Sequence, residues 1–505
     1  MIKLIYRIES DYMSKKRMLI VTSVTLSVVT ISLGIVKLYQ TYALSNYIGT
    51  VTDTGIDVYI NDDSYASIPA NGSSNVYYML TNTNPGTVKY GVAYQTTSGV
   101  TVKVYDTSED PATGTIEEND KKYIKLHLEN KNSTNKTIEL STVLGYENGG
   151  DLVVPSGVTL VTDTYTPPPT AAEYITKLYT TASKTTVTNN SITYNTAPSV
   201  SLMNDRLGGT TTDLDGGNIR YYGASPNNYI YFNCSDYSNQ TSSTCETWRI
   251  IGVFNGKLKI IRGSQIGTYS WDNKDTSTGA ESNFGKNDWT TARLMKLLNP
   301  SDYYTTDSND NNLGQGLYYN SASGKCYSGQ NNATVDCNFT STGIKNDITR
   351  NMIAETTYNL GGWNTNKIYW NQRYEYERWT TVYTGRPTTP WTGKIALAYP
   401  SDYGYAADLN QCKDKILKDY DNSTCTSNNW MKAIITNNGS SLGWLLTPHS
   451  SYSHSVWSVY SSGYVIYRSA YNVIGVVPVL SLSSKLGIEP GSGDGSSSNP
   501  YKLSA

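Results

Sequence analysis

Phenylalanine occurs four times and histidine three times in 505 residues, and charged side chains make up only 16% of the chain. Three histidines, with no Cys-x-x-Cys pair, leave little material for a transition-metal centre, so no metal site and no cofactor is expected. A net charge of −2 offers no basic surface, which sets nucleic acid aside as a partner. Polarity comes instead from Asn, Ser, Thr, Gly and 44 tyrosines. Choosing Tyr over Phe this strongly implies that much aromatic surface stays in contact with water. The length leaves room for two to four domains.

Residues 18–36 form a nineteen-residue run without charge. As a helix it would extend about 28 Å, close to the hydrocarbon core of a bilayer. Lys15, Lys16 and Arg17 precede it, and after Lys37 no Lys or Arg occurs until Lys89. This asymmetry predicts a single-pass anchor in the cell membrane, with residues 1–17 cytoplasmic and the bulk extracellular. A cleaved signal peptide ending near Ala43-Leu44-Ser45 is the competing reading, but the apolar run is long for one.

Residues 50–165 read as all-β. Alternating segments at 56–60, 100–105 and 123–128 join short apolar runs at 76–80, 88–94 and 137–144, separated by turn clusters. This spacing predicts an immunoglobulin-like sandwich serving as a stalk, in which His127 is structural. Pro167-Pro168-Pro169 is a stiff spacer. Thr170 and Glu173 stand at capping-box spacing before a short helix, which completes a linker over 166–189.

From residue 190 a larger domain follows. Asn255-Gly256 between two apolar runs predicts a tight hairpin. Helices are expected over 288–299, with Asp288 as N-cap, and over 345–357; a buried strand is expected over 393–399. All six cysteines lie here, as Cys234 and Cys245, Cys326 and Cys337, and Cys412 and Cys425. Six cysteines allow fifteen pairings, and the spacing favours these three local ones. Disulfides also fit an outward-facing domain.

The most unusual stretch is residues 449–472, where thirteen of twenty-four residues are Ser or Tyr. Rigid rings with hydroxyls, set among small adaptable polar groups, resemble a paratope more than a catalytic site. Residues 456–460 and 464–468 read as a hairpin about Ser461-Ser462-Gly463. Alternation would turn Trp457, Val459, Val465 and Tyr467 inward, and Ser458, Tyr460, Tyr464, Ile466 and Arg468 outward. The flanking loops add Tyr452, His454, Tyr471 and Asn472. These nine residues are the candidate ligand surface.

Several short motifs occur in one order: Trp248-Arg249-Ile250-Ile251-Gly252, Tyr269-Ser270-Trp271-Asp272-Asn273, Asn287-Asp288-Trp289-Thr290, Trp444-Leu445-Leu446 and Gly475-Val476-Val477-Pro478. In this order they resemble bacterial surface proteins with a C-type-lectin-like domain, related in fold to formylglycine-generating enzyme and shared by the variable proteins of diversity-generating retroelements. The resemblance covers roughly 190–505 and implies a mixed α/β C-type-lectin-like domain with a ligand surface on its C-terminal stretch. Val477 stands where such proteins commonly carry Arg. The enzymes of that fold work through a cysteine pair in the C-terminal core; no cysteine follows Cys425, so no enzymatic activity is expected. Asp272 reads as a turn residue rather than a calcium ligand, and Glu375 and Glu377 as decoration of a solvated strand face.

The expected molecule thus has an N-terminal transmembrane helix, a β-sandwich and a C-type-lectin-like domain. Its expected function is that of a receptor or adhesin for an extracellular protein or glycan, with a C-terminal surface open to diversification. The alternative is a structural envelope protein whose lectin-like domain packs against neighbours.

Overall fold

The computed structural model describes residues 44–52, 55–59, 65–82, 86–145, 152–275, 283–305, 313–378, 390–436, 442–489 and 491–504. The chain divides into two compact units, Met1–Pro167 and Pro168–Ala505. Two expectations need correction. No helix among the described residues is long and apolar enough to cross a membrane, so the expected transmembrane helix and single-pass membrane location are not upheld; residues 18–36 lie outside the described set. The architecture is also not the expected mixed α/β one: strand accounts for 38% and helix for 15% of the described residues. The helices are short because the chain between strands is rich in Asn, Thr, Ser and Gly, which favour turns over helix interiors.

In the first unit, one sheet runs in the order Thr164–Tyr165, Val100–Tyr105, Lys121–Asn130, Gly72–Asn82, Leu44–Thr52, Gly55–Tyr59. The second runs Val158–Leu160, Val88–Gln95, Lys136–Gly145, Tyr65–Ile68, with Thr113–Ile116 added beside Val88–Gln95. Their shared core includes Tyr78, Leu80, Tyr90, Val92, Ile124, Leu126, Ile138 and Leu140. Period-two alternation places these side chains inward: in Lys121–Asn130, Ile124, Leu126 and Leu128 are buried while Tyr123 is exposed. His127 is structural here. Its Nδ1 lies 2.7 Å from Asn75 Oδ1 and its ring stacks on Tyr165 at 3.6 Å.

The second unit opens with the helix Ala171–Thr181. Its capping box is formed, Thr170 accepting from the Glu173 amide and Glu173 from the Thr170 amide, and it buries Ile175 and Tyr179. A nine-stranded sheet follows, in the order Thr185–Asn189, Ile192–Ala197, Leu202–Asn204, Ile219–Tyr221, Glu246–Phe254, Lys257–Arg262, Val479–Ser481, Ile395–Ala396, with Tyr229–Phe232 also paired to Glu246–Phe254. The hairpin at its centre turns through Asn255 and Gly256, both at positive φ (50° and 71°), as a tight two-residue turn requires. A five-stranded sheet, Thr268–Tyr269, Ile474–Gly475, Leu442–Pro448, Ser455–Tyr460, Val465–Ser469, carries the Ser/Tyr-rich stretch.

Two expected helices are shorter than their patterns suggest. Asp288 does not cap a helix; its carboxylate accepts from the Thr290 amide and hydroxyl in a turn, and the helix is Arg293–Leu298. Trp289, drawn into the core against Trp271 at 5.1 Å, holds that turn. The helix Asp347–Met352 stops early because Thr356–Asn359 pairs with Pro390–Gly393 instead. The three disulfides are Cys234–Cys245, Cys326–Cys337 and Cys412–Cys425. Each ties a polar loop to the unit's interior.

Candidate functional site

The hairpin register pairs Trp457 with Tyr467, Ser458 with Ile466 and Val459 with Val465. Trp457, Val459 and Val465 are buried, as their face of the hairpin demands, but Tyr467 at the open end is 39% exposed. The opposite face is not open throughout. Ser458 is 0% exposed, and its hydroxyl donates to the Ile466 carbonyl at 2.9 Å. It drops out of the candidate surface, since Ser455–Tyr460 is an internal strand of its sheet and is covered on both sides.

The remaining candidates fall into two groups. Tyr460 and Tyr464 stack at 5.0 Å beside the turn, where Gly463 accepts a hydrogen bond from the Tyr403 hydroxyl at 2.7 Å. Ile466 and Arg468 continue this face, half-buried. Arg468 lies four residues, about 13 Å, along the strand from Tyr464.

The second group is a run of rings at the other end of the hairpin. Tyr467 is 5.7 Å from Tyr452, Tyr452 is 6.4 Å from His454, His454 is 5.3 Å from Phe284, and Phe284 is 5.3 Å from Tyr471. Tyr452, at 48%, is the most exposed of them. Asn472 borders this run, its amide donating to the Ser469 carbonyl. Sequence reasoning missed Phe284, which comes from a distant loop, and Tyr467, which was assigned to the inner face.

Beneath the rings lies a support that sequence reasoning also missed. His449 is buried, stacked 5.3 Å from Trp457 and 4.7 Å from Tyr452. Its Nδ1 accepts from the Ser451 and Tyr452 amides at 3.1 and 3.2 Å, which places the proton of the neutral ring on Nε2. Burial first, then the nearby Arg373 and His454, push its pKa down to about 4, against an opposing pull from the Asn364 carbonyl. Asn287, also buried, donates from Nδ2 to the carbonyls of His449, Tyr452 and Ser455 at 3.0, 2.8 and 2.6 Å. The Arg373 guanidinium sits 5.0 Å from the Trp457 ring centre and is fully buried; burial lowers its pKa to about 10. The signal for Asn287 was present in its motif, but not what it holds.

Other candidates resolve into structure. Asp272 is buried, accepting from the Lys286 amide at 2.8 Å, while its own amide donates to the Ala470 carbonyl. Glu377 is not on a solvated strand face. It caps the end of the helix Trp370–Tyr376, is fully buried, and accepts from the Ser401 amide and hydroxyl, while Glu375 is exposed. Val477 packs in the apolar cluster that includes Trp457 and Trp370.

No known protein family matches this chain, and no curated protein does. Among solved structures, the envelope protein VP37 of White Spot Syndrome Virus is similar at 12% identity over 20% of this chain and 96% of its own, with a TM-score of 0.12. A score that low carries no argument about fold or function.

Proposed function

We propose that the second unit is an extracellular ligand-binding module whose contact surface is the ring run Tyr467, Tyr452, His454, Phe284 and Tyr471. The observation that carries this is the run itself: rings in mutual contact, drawn from three separate segments, partly open to solvent and braced from below. Aromatic rings with hydroxyl tips suit the apolar face of a sugar or a protein epitope. The disulfides support an oxidising compartment. The resemblance to C-type-lectin-like surface proteins agrees with a ligand surface on this stretch.

The test compares two double variants of the full chain on a glycan array and on a panel of displayed extracellular proteins. Tyr452→Ala with Tyr467→Ala should weaken any captured ligand about 30-fold or more, the loss of one central anchor. Tyr460→Ala with Tyr464→Ala should leave it within a few-fold. The reverse ranking would move the site to the hairpin turn, and capture of nothing by the parent would remove the reading.

A further inference from the structure

A cleft of about 530 Å³, lined by none of the ring-run residues, lies between the Glu246–Phe254 strand and the helix Trp430–Thr436. That volume falls within the usual range for a small-molecule site. Its floor is Arg249, only 6% exposed. The guanidinium lies 3.7 Å from the Tyr229 ring centre and 4.9 Å from that of Trp430. Nε donates to Asn228 Oδ1 and Nη2 to the Pro226 carbonyl. Among the described residues Nη1 makes no hydrogen bond, and no carboxylate comes within ion-pair distance of this arginine.

The one carboxylate in the cleft is already committed. Glu246 receives Nε and Nη2 of Arg262 at 3.0 and 3.1 Å, and Trp248 Nε1 at 3.0 Å. Glu246 and Arg262 cancel, so the lining carries one uncompensated positive charge, on Arg249. A buried cation held by neutral groups alone is costly unless an anion completes it. Burial accordingly pulls the Arg249 pKa down to about 10.

We propose that this cleft binds a small organic monocarboxylate. Its carboxylate caps Arg249 Nη1, and its body lies along Trp430 and Ile434 under the hydroxyls of Thr247 and Ser264. A single negative charge matches the single free cation; a doubly charged phosphate would bring charge the lining does not balance. The aromatic and aliphatic wall favours a ligand with a carbon body over an inorganic ion.

The experiment is ligand-observed saturation-transfer NMR on the full chain, with glucuronate, benzoate and acetate as probes. Glucose, benzyl alcohol and inorganic phosphate are the counterparts. At least one acid should bind tenfold or more tighter than its neutral counterpart and than phosphate. Ala433 lies at the exposed rim, so Ala433→Glu should reduce that binding at least tenfold with an unchanged melting temperature. Arg249→Gln should do the same; should that variant fail to fold, the rim variant decides. No binding by any acid, equal binding of neutral counterparts, stronger binding of phosphate, or unchanged binding to the rim variant would each overturn the proposal.

Discussion

Asn287 holds Tyr452 in place across 165 residues of sequence: its side-chain amide donates to the Tyr452 carbonyl at 2.8 Å, and the same nitrogen reaches the carbonyls of His449 and Ser455. Three acceptors for two hydrogens means a shared, three-centre bond. The loop carrying the most exposed ring of the proposed surface is thus tied to the interior by this buried side chain, together with His449 Nδ1, which accepts from the Ser451 and Tyr452 amides. Asn287→Ala would take its side-chain donor from the His449 carbonyl and leave the Tyr452 and Ser455 carbonyls with one backbone donor each, and should cost about 2 kcal/mol of stability. Thermal denaturation with hydrogen exchange should show protection lost first at residues 449–455. Unchanged exchange there would mean the loop is held by other contacts.

His449 makes the same loop sensitive to acid. Two backbone amides donate to its Nδ1, so a proton arriving at that atom displaces both. Arg373, His454, Tyr452, Tyr467 and Trp457 face the ring, and no carboxylate is among these neighbours. The folded pKa, about 4, lies below the ordinary value of 6.5, so the unfolded chain binds the proton more readily. Stability from this group is complete above about pH 6.5 and is lost as pH falls through about 4. Ligand binding at the ring run should weaken over the same window. Asn at position 449 offers an oxygen to the same two amides without titrating, so His449→Asn should flatten the profile; an unaltered profile would place the acid sensitivity elsewhere.

Particular residues show why some of this was legible in the sequence and some was not. Asn255-Gly256 and Thr170 with Glu173 are local signals, and each appears where its chemistry puts it. The cysteine pairs are also local, at separations of 11, 11 and 13. The 457–467 pairing follows from alternation about a short turn. Alternation failed at Ser458 because it reports which side a residue faces, not whether that side is covered by other segments. Phe284, Asn287 and Arg373 reach the ring cluster from distant loops and a helix, and nothing in their local sequence announces that contact. The tyrosine count suggested wet aromatic surface, yet Tyr78, Tyr90, Tyr194, Tyr318 and Tyr403 are fully buried.

The disulfides should matter most where the polar loops are longest relative to local structure. Cys326–Cys337 joins the two strands Ser323–Tyr327 and Thr334–Asn338, an otherwise isolated pair. Replacing both cysteines with Ala should lower stability by about 3 kcal/mol in the chain-entropy account. Denatured, non-reduced protein should show no titratable thiol from these six positions, and reduction should lower the melting temperature.

The largest single-residue effect on stability is expected at Asp402. Its carboxylate accepts from Arg220 Nη1 at 2.8 Å, Lys259 Nζ at 2.5 Å and the Tyr399 amide at 2.9 Å. Asp205, also buried, takes the Nε of the same arginine at 2.6 Å. Two carboxylates and two cations thus share one dry compartment. Burial pushes the Asp402 carboxyl up, but Lys259 and Arg220 outweigh it and hold it below the ordinary carboxylate range. Its contribution is present above that range and is lost as pH falls below it. Asp402→Asn keeps the shape but strands the buried Lys259 and leaves Arg220 only Asp205, so a loss of about 3–5 kcal/mol is expected. The control is Asp336→Asn, which breaks the exposed pair with Lys325 at 2.8 Å and should cost no more than about 0.5 kcal/mol. Urea denaturation of the two variants measures both. Equal effects would mean that the compartment is wet enough to screen its charges.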